Sequence, residues 1–392
     1  MQCEPFRVSI PDEAIDDLRD RLRRARWSPS PVDAGWEFGM DDTVLREFVR
    51  YWRDDFDWRE AERAINRFPQ FMVEVEPGVP IHFVHVRGKG KTVVPLVVTH
   101  GWPWTFWDWN AQIGPLTDPA AYGLDDGIAF DLVVPSLPGY GFSTPLTARG
   151  ITAPRVADLW DRLMREVLGY ERYAAAGGDW GAFVTWELGT RYAGNLKGIY
   201  LSFPPLWHAG GVEGLSSLTY AGEEAGWLET TLQRWQLGIS HLTVHSHDHM
   251  TLAYALADSP VGLAAWLLER RRNWADGDDL YSVFDKQFLA TTVSIYWFTN
   301  TIGSSMQLYA EQFRAGAESQ TNYTPGSLPR IAAPTAIGVY PGELVLMPRN
   351  ACEDVANLVD WAVHAKGGHF SPSEVPETYA AELRRVFSGP LS

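Results

Sequence analysis

Apolar positions recur at helical spacing in the first part of the chain and change period near residue 71. Over 9–22, Ile15, Leu18 and Leu22 fall on one side of a predicted helix, with Ser9 as its cap and Pro11 near its first turn. Over 41–52, Leu45, Phe48, Val49 and Trp52 repeat the stripe. The connection at 26–32 reads as extended and turn-rich. Residues 1–70 are therefore expected to be a helical segment that wraps a core. From Phe71 the faces alternate, and 71–76 with 81–86 predict a hairpin about Pro77-Gly78. Residues 92–99, 129–135 and the run into Asp179 read as buried strands separated by helices, one of them at 156–168, and 199–203 adds another strand. From 205 to 325 that rhythm stops, and the chain reads as helices rich in Trp, Leu and Tyr, such as 260–270 and 291–298. Strands return at 334–340 and 359–364, and a helix over 377–387 closes the chain. The predicted organisation is an α/β core with a mostly parallel sheet, in two parts at 71–204 and 326–392, interrupted by a helical cap at 205–325.

Composition narrows the partners. With 33 Lys and Arg against 49 Asp and Glu, the formal charge is −16, which disfavours nucleic acid and anionic membrane surfaces. No segment is apolar and long enough to span a bilayer, and the first residues lack the layout of a signal peptide. Two cysteines, Cys3 and Cys352, argue against a disulfide framework and fit a reducing cytoplasm. The 18 Trp, 18 Phe and 15 Tyr suit an aromatic-lined pocket and equally suit an ordinary core.

The chemistry centres on Gly177-Gly178-Asp179-Trp180-Gly181, between an apolar run and a predicted helix. Small residues two before and two after the middle position permit a strained strand–turn–helix elbow that exposes the middle side chain. Here that side chain is a carboxylate, which suits displacement at a saturated carbon: it forms an alkyl ester that water then cleaves. Epoxides and alkyl halides are the substrates this implies. Asp179 as a mere helix cap is the plainer alternative for the pentapeptide alone. Glu343 in Tyr340-Pro-Gly-Glu-Leu344 and His369 in Lys366-Gly-Gly-His-Phe370 each follow a predicted strand. Open α/β sheets keep their sites at that edge, and the order Asp179, Glu343, His369 is that of α/β-hydrolases. Thr99-His-Gly-Trp-Pro-Trp104 supplies the fourth part: the backbone N–H groups of Trp102 and Trp180 are the candidate oxyanion hole. His100 is read as shaping that loop; Trp104, Trp107 and Trp109 as packing and lining a pocket entrance; Asp108 as a solvated or loop-bonding carboxylate. The histidines from His241 to His249 have no accompanying Cys or spaced acids, so neither metal nor organic cofactor is expected.

Over nearly its full length the sequence resembles the microsomal-type epoxide hydrolases of the α/β-hydrolase fold. The resemblance is carried by Tyr51-Trp-Arg-Asp-Asp-Phe-Asp-Trp-Arg59, Asn66-Arg-Phe-Pro-Gln70, His100-Gly-Trp-Pro103 and Pro135-Ser-Leu-Pro-Gly-Tyr-Gly-Phe-Ser143. It continues through the Asp179 elbow, Asp258-Ser-Pro-Val-Gly-Leu-Ala-Ala265, Tyr296-Trp297 with Ser304-Ser305, Pro341-Gly-Glu-Leu344 and Gly367-Gly-His-Phe370. It implies Asp179 as nucleophile, His369 as base, Glu343 as its acidic partner, and Tyr296 as a cap residue donating to the epoxide oxygen. Two features depart from the family. The anchoring helix that precedes this pattern in microsomal members is absent, which implies a soluble chain. The place of a second cap tyrosine is taken by His241, the candidate second donor. Trp235 and Gln236 are candidate pocket residues that influence which epoxide carbon is attacked. Resemblance to soluble bacterial members of enediyne natural-product pathways implies a bulky, hydrophobic aryl or alkynyl epoxide. The rivals are a haloalkane dehalogenase using the same acid–base set and a catalytically silent binding protein on this scaffold. Oligomeric state stays open.

Overall fold

The computed structural model describes residues 3–29, 34–318 and 328–392. The end of the turn-rich connection at 26–32 and the expected boundary at 325/326 lie outside the described residues. Nine strands form one sheet in the order β1-β2-β3-β5-β4-β6-β7-β8-β9. They are β1 (Glu4–Phe6), β2 (Gln70–Glu76), β3 (Val79–Val86), β4 (Thr92–Thr99), β5 (Ile128–Pro135), β6 (Tyr173–Gly177), β7 (Leu196–Leu201), β8 (Ile331–Val339) and β9 (Ala356–Val363). Pairing is antiparallel from β1 to β5 and parallel from there to β9. The central strands are the apolar runs: β5 and β6 are buried at every position. Such runs can only be satisfied with both faces covered, which is what a parallel sheet between helices provides.

Some elements depart from the pattern-based expectation. The first helix begins at Asp12, so Ser9 lies outside it and Pro11 is the residue before it, with no side-chain cap. The next, Asp42–Asp54, is capped by Asp41, whose carboxylate accepts from the Thr43 and Val44 N–H groups. The stretch expected as one helix over 156–168 is an α-helix at Ala153–Arg162 followed by a π-helical turn at Leu163–Val167.

Between β7 and β8 the described chain is helical, the longer helices being Trp227–Gly238, Ser240–His247, His249–Asp258, Pro260–Trp274, Lys286–Thr299 and Ile302–Glu318. They cover the end of the sheet where β4, β6, β8 and β9 finish. Among the described residues no single helix is long and apolar enough to cross a membrane.

Candidate active site

Asp179 is placed by its neighbours' lack of side chains. It follows β6 and precedes the helix Trp180–Arg191, with φ 50° and ψ −130°. Positive φ is uncommon and strained for a residue with a Cβ, at about 1–3 kcal/mol. The turn closes because a Cβ on Gly177 would stand 2.3 Å from the Gly181 carbonyl, and one on Gly181 would stand 2.0 Å from the Thr99 carbonyl oxygen. Any larger residue at either place would push β6, the helix and β4 apart.

Three other strand ends converge on this carboxylate. After β4, the Trp102 N–H donates to Asp179 Oδ1 at 2.7 Å. After β9, His369 Nε2 lies 3.2 Å from Asp179 Oδ2. After β8, Glu343 Oε1 lies 2.7 Å from His369 Nδ1. Trp180 is the first residue of its helix, where backbone N–H groups have no intrahelical acceptor. His369 is buried, which disfavours its charged form, but Glu343 first and then Asp179 outweigh that and push it up to about 10. Both carboxylates thus favour the protonated ring. His100 is also buried: its Nε2 accepts from the Leu137 N–H at 3.0 Å, so Nδ1 carries the proton that meets the Gly101 carbonyl at 2.9 Å. Burial lowers its pKa to about 4, so it shapes the loop as a neutral ring.

A cavity of about 660 Å³ opens over Asp179 and His369. Trp180, Phe183, Phe203, Trp207, Trp235 and Trp274 give it aromatic walls, and His241 and Tyr309 also line it. Buried apolar walls around a few convergent polar groups are the usual composition of a small-molecule site.

The structure separates the remaining expected site residues. Trp235 lines the cavity; Gln236, one residue on, faces solvent and does not. Helical geometry turns neighbours about 100° apart, so only one of the pair can face inward. His241 lines the cavity, stacked on the Trp102 ring at 5.4 Å, with its Nδ1 buried and unpartnered. Burial, then His245, lowers its pKa well below 6.5, so it is neutral. Tyr296 is buried, does not line the cavity, and gives its hydroxyl proton to the Trp104 carbonyl at 2.8 Å. The tyrosine that does face the cavity is Tyr309, on the helix Ile302–Glu318. Burial, then the charge of Asp179, raises its pKa well above 10, so it keeps its proton. The available sequence signal was its place on the helix that carries Ser304-Ser305. Trp104, Trp107 and Trp109 are buried and do not line the cavity, and Asp108 is not solvated but loop-bonding, accepting from the Thr105 N–H at 2.9 Å, and is also paired with Arg271. Among the described residues no group of three His, Cys, Asp or Glu is arranged to hold a metal ion.

The family described as "Epoxide hydrolase N terminus" matches residues 3–109, and the one described as "alpha/beta hydrolase fold" matches 94–216. A protein of Stigmatella aurantiaca assigned as an epoxide hydrolase is 36% identical over 98% of this chain and 84% of its own. Epoxide hydrolase 1 of Sus scrofa is 31% identical over 97% of this chain and 87% of its own. The crystal structure of juvenile hormone epoxide hydrolase from the silkworm Bombyx mori superposes with a TM-score of 0.88 at 26% identity, covering 99% of this chain and 95% of that one. With such identity running end to end, and the α/β-hydrolase fold beneath it, the chain belongs to the epoxide hydrolase family.

Proposed function

We propose that this enzyme converts a hydrophobic epoxide to a vicinal diol through a covalent ester on Asp179. The observation that carries the reading is the Asp179 carboxylate itself: one oxygen sits on the Trp102 N–H and the other lies 3.2 Å from His369, at the floor of an aromatic cavity. Oδ2 attacks an epoxide carbon, the C–O bond breaks, and Tyr309 gives its proton to the oxygen that leaves. Oδ1 remains at Trp102, where with the Trp180 N–H it takes up the charge of the second transition state. Ester formation removes the Asp179 charge, so His369 is released from one of the two carboxylates that hold its proton. That proton returns to the Tyr309 phenolate. The neutral imidazole, oriented by Glu343, then deprotonates a water that attacks the Asp179 carbonyl carbon. The diol leaves and the imidazolium and carboxylate are restored, so only epoxide and water are consumed.

Tyr309 replaces Tyr296 as the proposed donor, because it lines the same cavity as Asp179 and Tyr296 does not. His241 supports it as a neutral N–H donor. The cavity's aromatic walls support an aryl or similarly bulky epoxide, with Trp235 against its body; a place in enediyne natural-product pathways is carried by the sequence resemblance alone. The test is a single turnover in isotopically labelled water. Label should enter the Asp179 carboxylate before it enters any diol; label in the first-turnover diol would overturn the covalent route. Haloalkane dehalogenation would use the same ester, so halide and diol release are measured side by side. Turnover of styrene oxide excludes a silent binding protein.

A further inference from the structure

Four consecutive backbone N–H groups hold the loop that carries His369. Gly367 donates to Asp276 Oδ2 at 2.8 Å, Gly368 to Glu374 Oε2 at 3.0 Å, His369 to the Trp274 carbonyl at 3.0 Å, and Phe370 to Glu374 Oε1 at 2.7 Å. The same Glu374 Oε2 also accepts from the Asp276 N–H at 2.8 Å. One carboxylate therefore binds the peptides on both sides of the histidine. It also ties that loop to the segment leaving the helix Pro260–Trp274, which belongs to the helices over the cavity. None of these contacts reaches the reacting atoms.

We propose that Glu374 is a positioning residue for the hydrolytic half of the reaction, fixing His369 so that its Nε2 stays aimed at the Asp179 ester. The inference rests on the reading of His369 as the base of that step. Its physical basis is the timing of the charges. In the resting enzyme the imidazolium is drawn to Asp179 by charge, which alone helps to hold the ring in place. When Asp179 becomes a neutral ester, that attraction ends just before the ring must act. From then on its aim depends on the backbone that carries it and on Glu343 at Nδ1. Ester formation requires no such aim, since the nucleophile is placed by its own strained turn and the Trp102 N–H. The clamp therefore acts on one step and leaves the other alone. The ionisable groups acting on the Glu374 carboxyl are His369 and Glu343; burial pushes its pKa up to about 7, with the Asp276 and Phe370 N–H groups and then His369 pulling the other way. The clamp is ionised above that value, so the experiment is run at pH 8.

Glu374→Gln keeps the volume but puts an N–H group where one of two acceptors stood. Whichever way the amide turns, it meets a backbone N–H head on. In single-turnover quenched flow with styrene oxide, the rate of Asp179 ester formation should stay within about twofold of wild type. Ester hydrolysis should slow by about tenfold to a hundredfold, the scale of a misplaced catalytic group, and the adduct should accumulate. Asp276→Ala is a second variant at an exposed position that leaves the helices intact, and it should give the same split at smaller size. Equal slowing of both steps, or of neither, in both variants would overturn the proposal. A His369→Gln control separates this from the reading beneath it. If that variant fails to accumulate ester, the role of His369 fails; if it accumulates ester and Glu374→Gln does not, only the clamp fails.

Discussion

On the proposed reading His369 acts as a base although both neighbouring carboxylates favour its protonated form, and the resolution lies in what the first step does to those neighbours. Burial alone would keep His369 neutral; Glu343 and Asp179 push it up to about 10. Replacing Asp179 by Asn mimics the loss of charge on ester formation, so the ring pKa should fall below about 10 in that variant. An NMR titration of the His369 ring reads this directly, and an unchanged value would remove Asp179 from the proton balance. The sign of the stability effect follows. The folded pKa lies above the unfolded value of about 6.5, so the imidazolium's contribution is complete below 6.5 and is lost as pH rises towards 10. For ring opening, Tyr309→Phe in a His369→Gln background should slow ester formation by about 10²–10⁴-fold, the usual worth of a general acid. Tyr296→Phe should leave that rate within a few-fold, because its hydroxyl is spent on the Trp104 carbonyl. The reverse pattern, measured by adduct mass over time, would return the role to Tyr296. His241→Phe should cost less than Tyr309→Phe, and because His241 is neutral its share should not fade across pH 6–8. Asp179, Glu343 and His369 were legible in the sequence because each follows a strand and parallel strands end on one edge. The donor was not. Tyr296 and Tyr309 both lie in aromatic-rich helices, where apolar spacing does not reveal which buried face meets the cavity.

At the scale of elements, the strands with near-continuous apolar runs were the most legible, since no half-exposed element could tolerate them. The failures were local. β1 is three residues long and exists by pairing with β2, so it has no period of its own. The helix expected over 156–168 departs from α geometry at Leu163 because the Leu168 N–H bonds back to the Leu163 carbonyl, five residues away, a choice no hydrophobic stripe records. One tie between elements also escaped the sequence. Arg271, on the helix Pro260–Trp274, is buried and bonds Asp108 with two nitrogens at 2.5 and 2.9 Å. Its guanidinium also lies 4.2 Å from the Phe370 ring. It thus joins the loop that presents Trp102 to the residue beside His369. Arg271→Met should destabilise the protein by about 3–5 kcal/mol, because it strands the Asp108 charge in the interior. Adding Asp108→Asn should recover part of that loss in urea unfolding. Strict additivity of the two changes would show that the pair is not coupled.

The whole molecule raises the question of what keeps the helices over the cavity in place, since a roof that moves relative to the sheet would lose Tyr309 and the Trp274 carbonyl together. The amino-terminal segment supplies part of the answer. The Trp52 indole N–H donates to Ser294 Oγ at 2.8 Å, and Tyr51 donates to Gln287, both on the helix Lys286–Thr299. Tyr281 donates to the Val44 carbonyl, and Arg21 pairs with Asp258 at an exposed site. The same segment is hydrogen-bonded to the sheet through β1, which pairs with β2, and through Gln70 of β2, whose amide N–H groups donate to the Ile65 carbonyl and to Asn66 Oδ1. It therefore grips core and roof at once. The exposed Arg21 pair contributes little, because solvent screens it. The buried Trp52–Ser294 bond is the one that matters energetically. Trp52→Phe keeps most of the ring but leaves Ser294 Oγ without its donor, at a cost of about 1–3 kcal/mol. Ser294→Ala should cost clearly less in the Trp52→Phe background than in the wild type, since the stranded hydroxyl is then removed. A double-mutant cycle by urea unfolding, with ester formation followed in parallel, makes the test. Equal cost in both backgrounds would mean that the bond does not hold the roof. A coupled loss with a slower ester-forming step in Trp52→Phe would tie the amino-terminal segment to the chemistry it never touches.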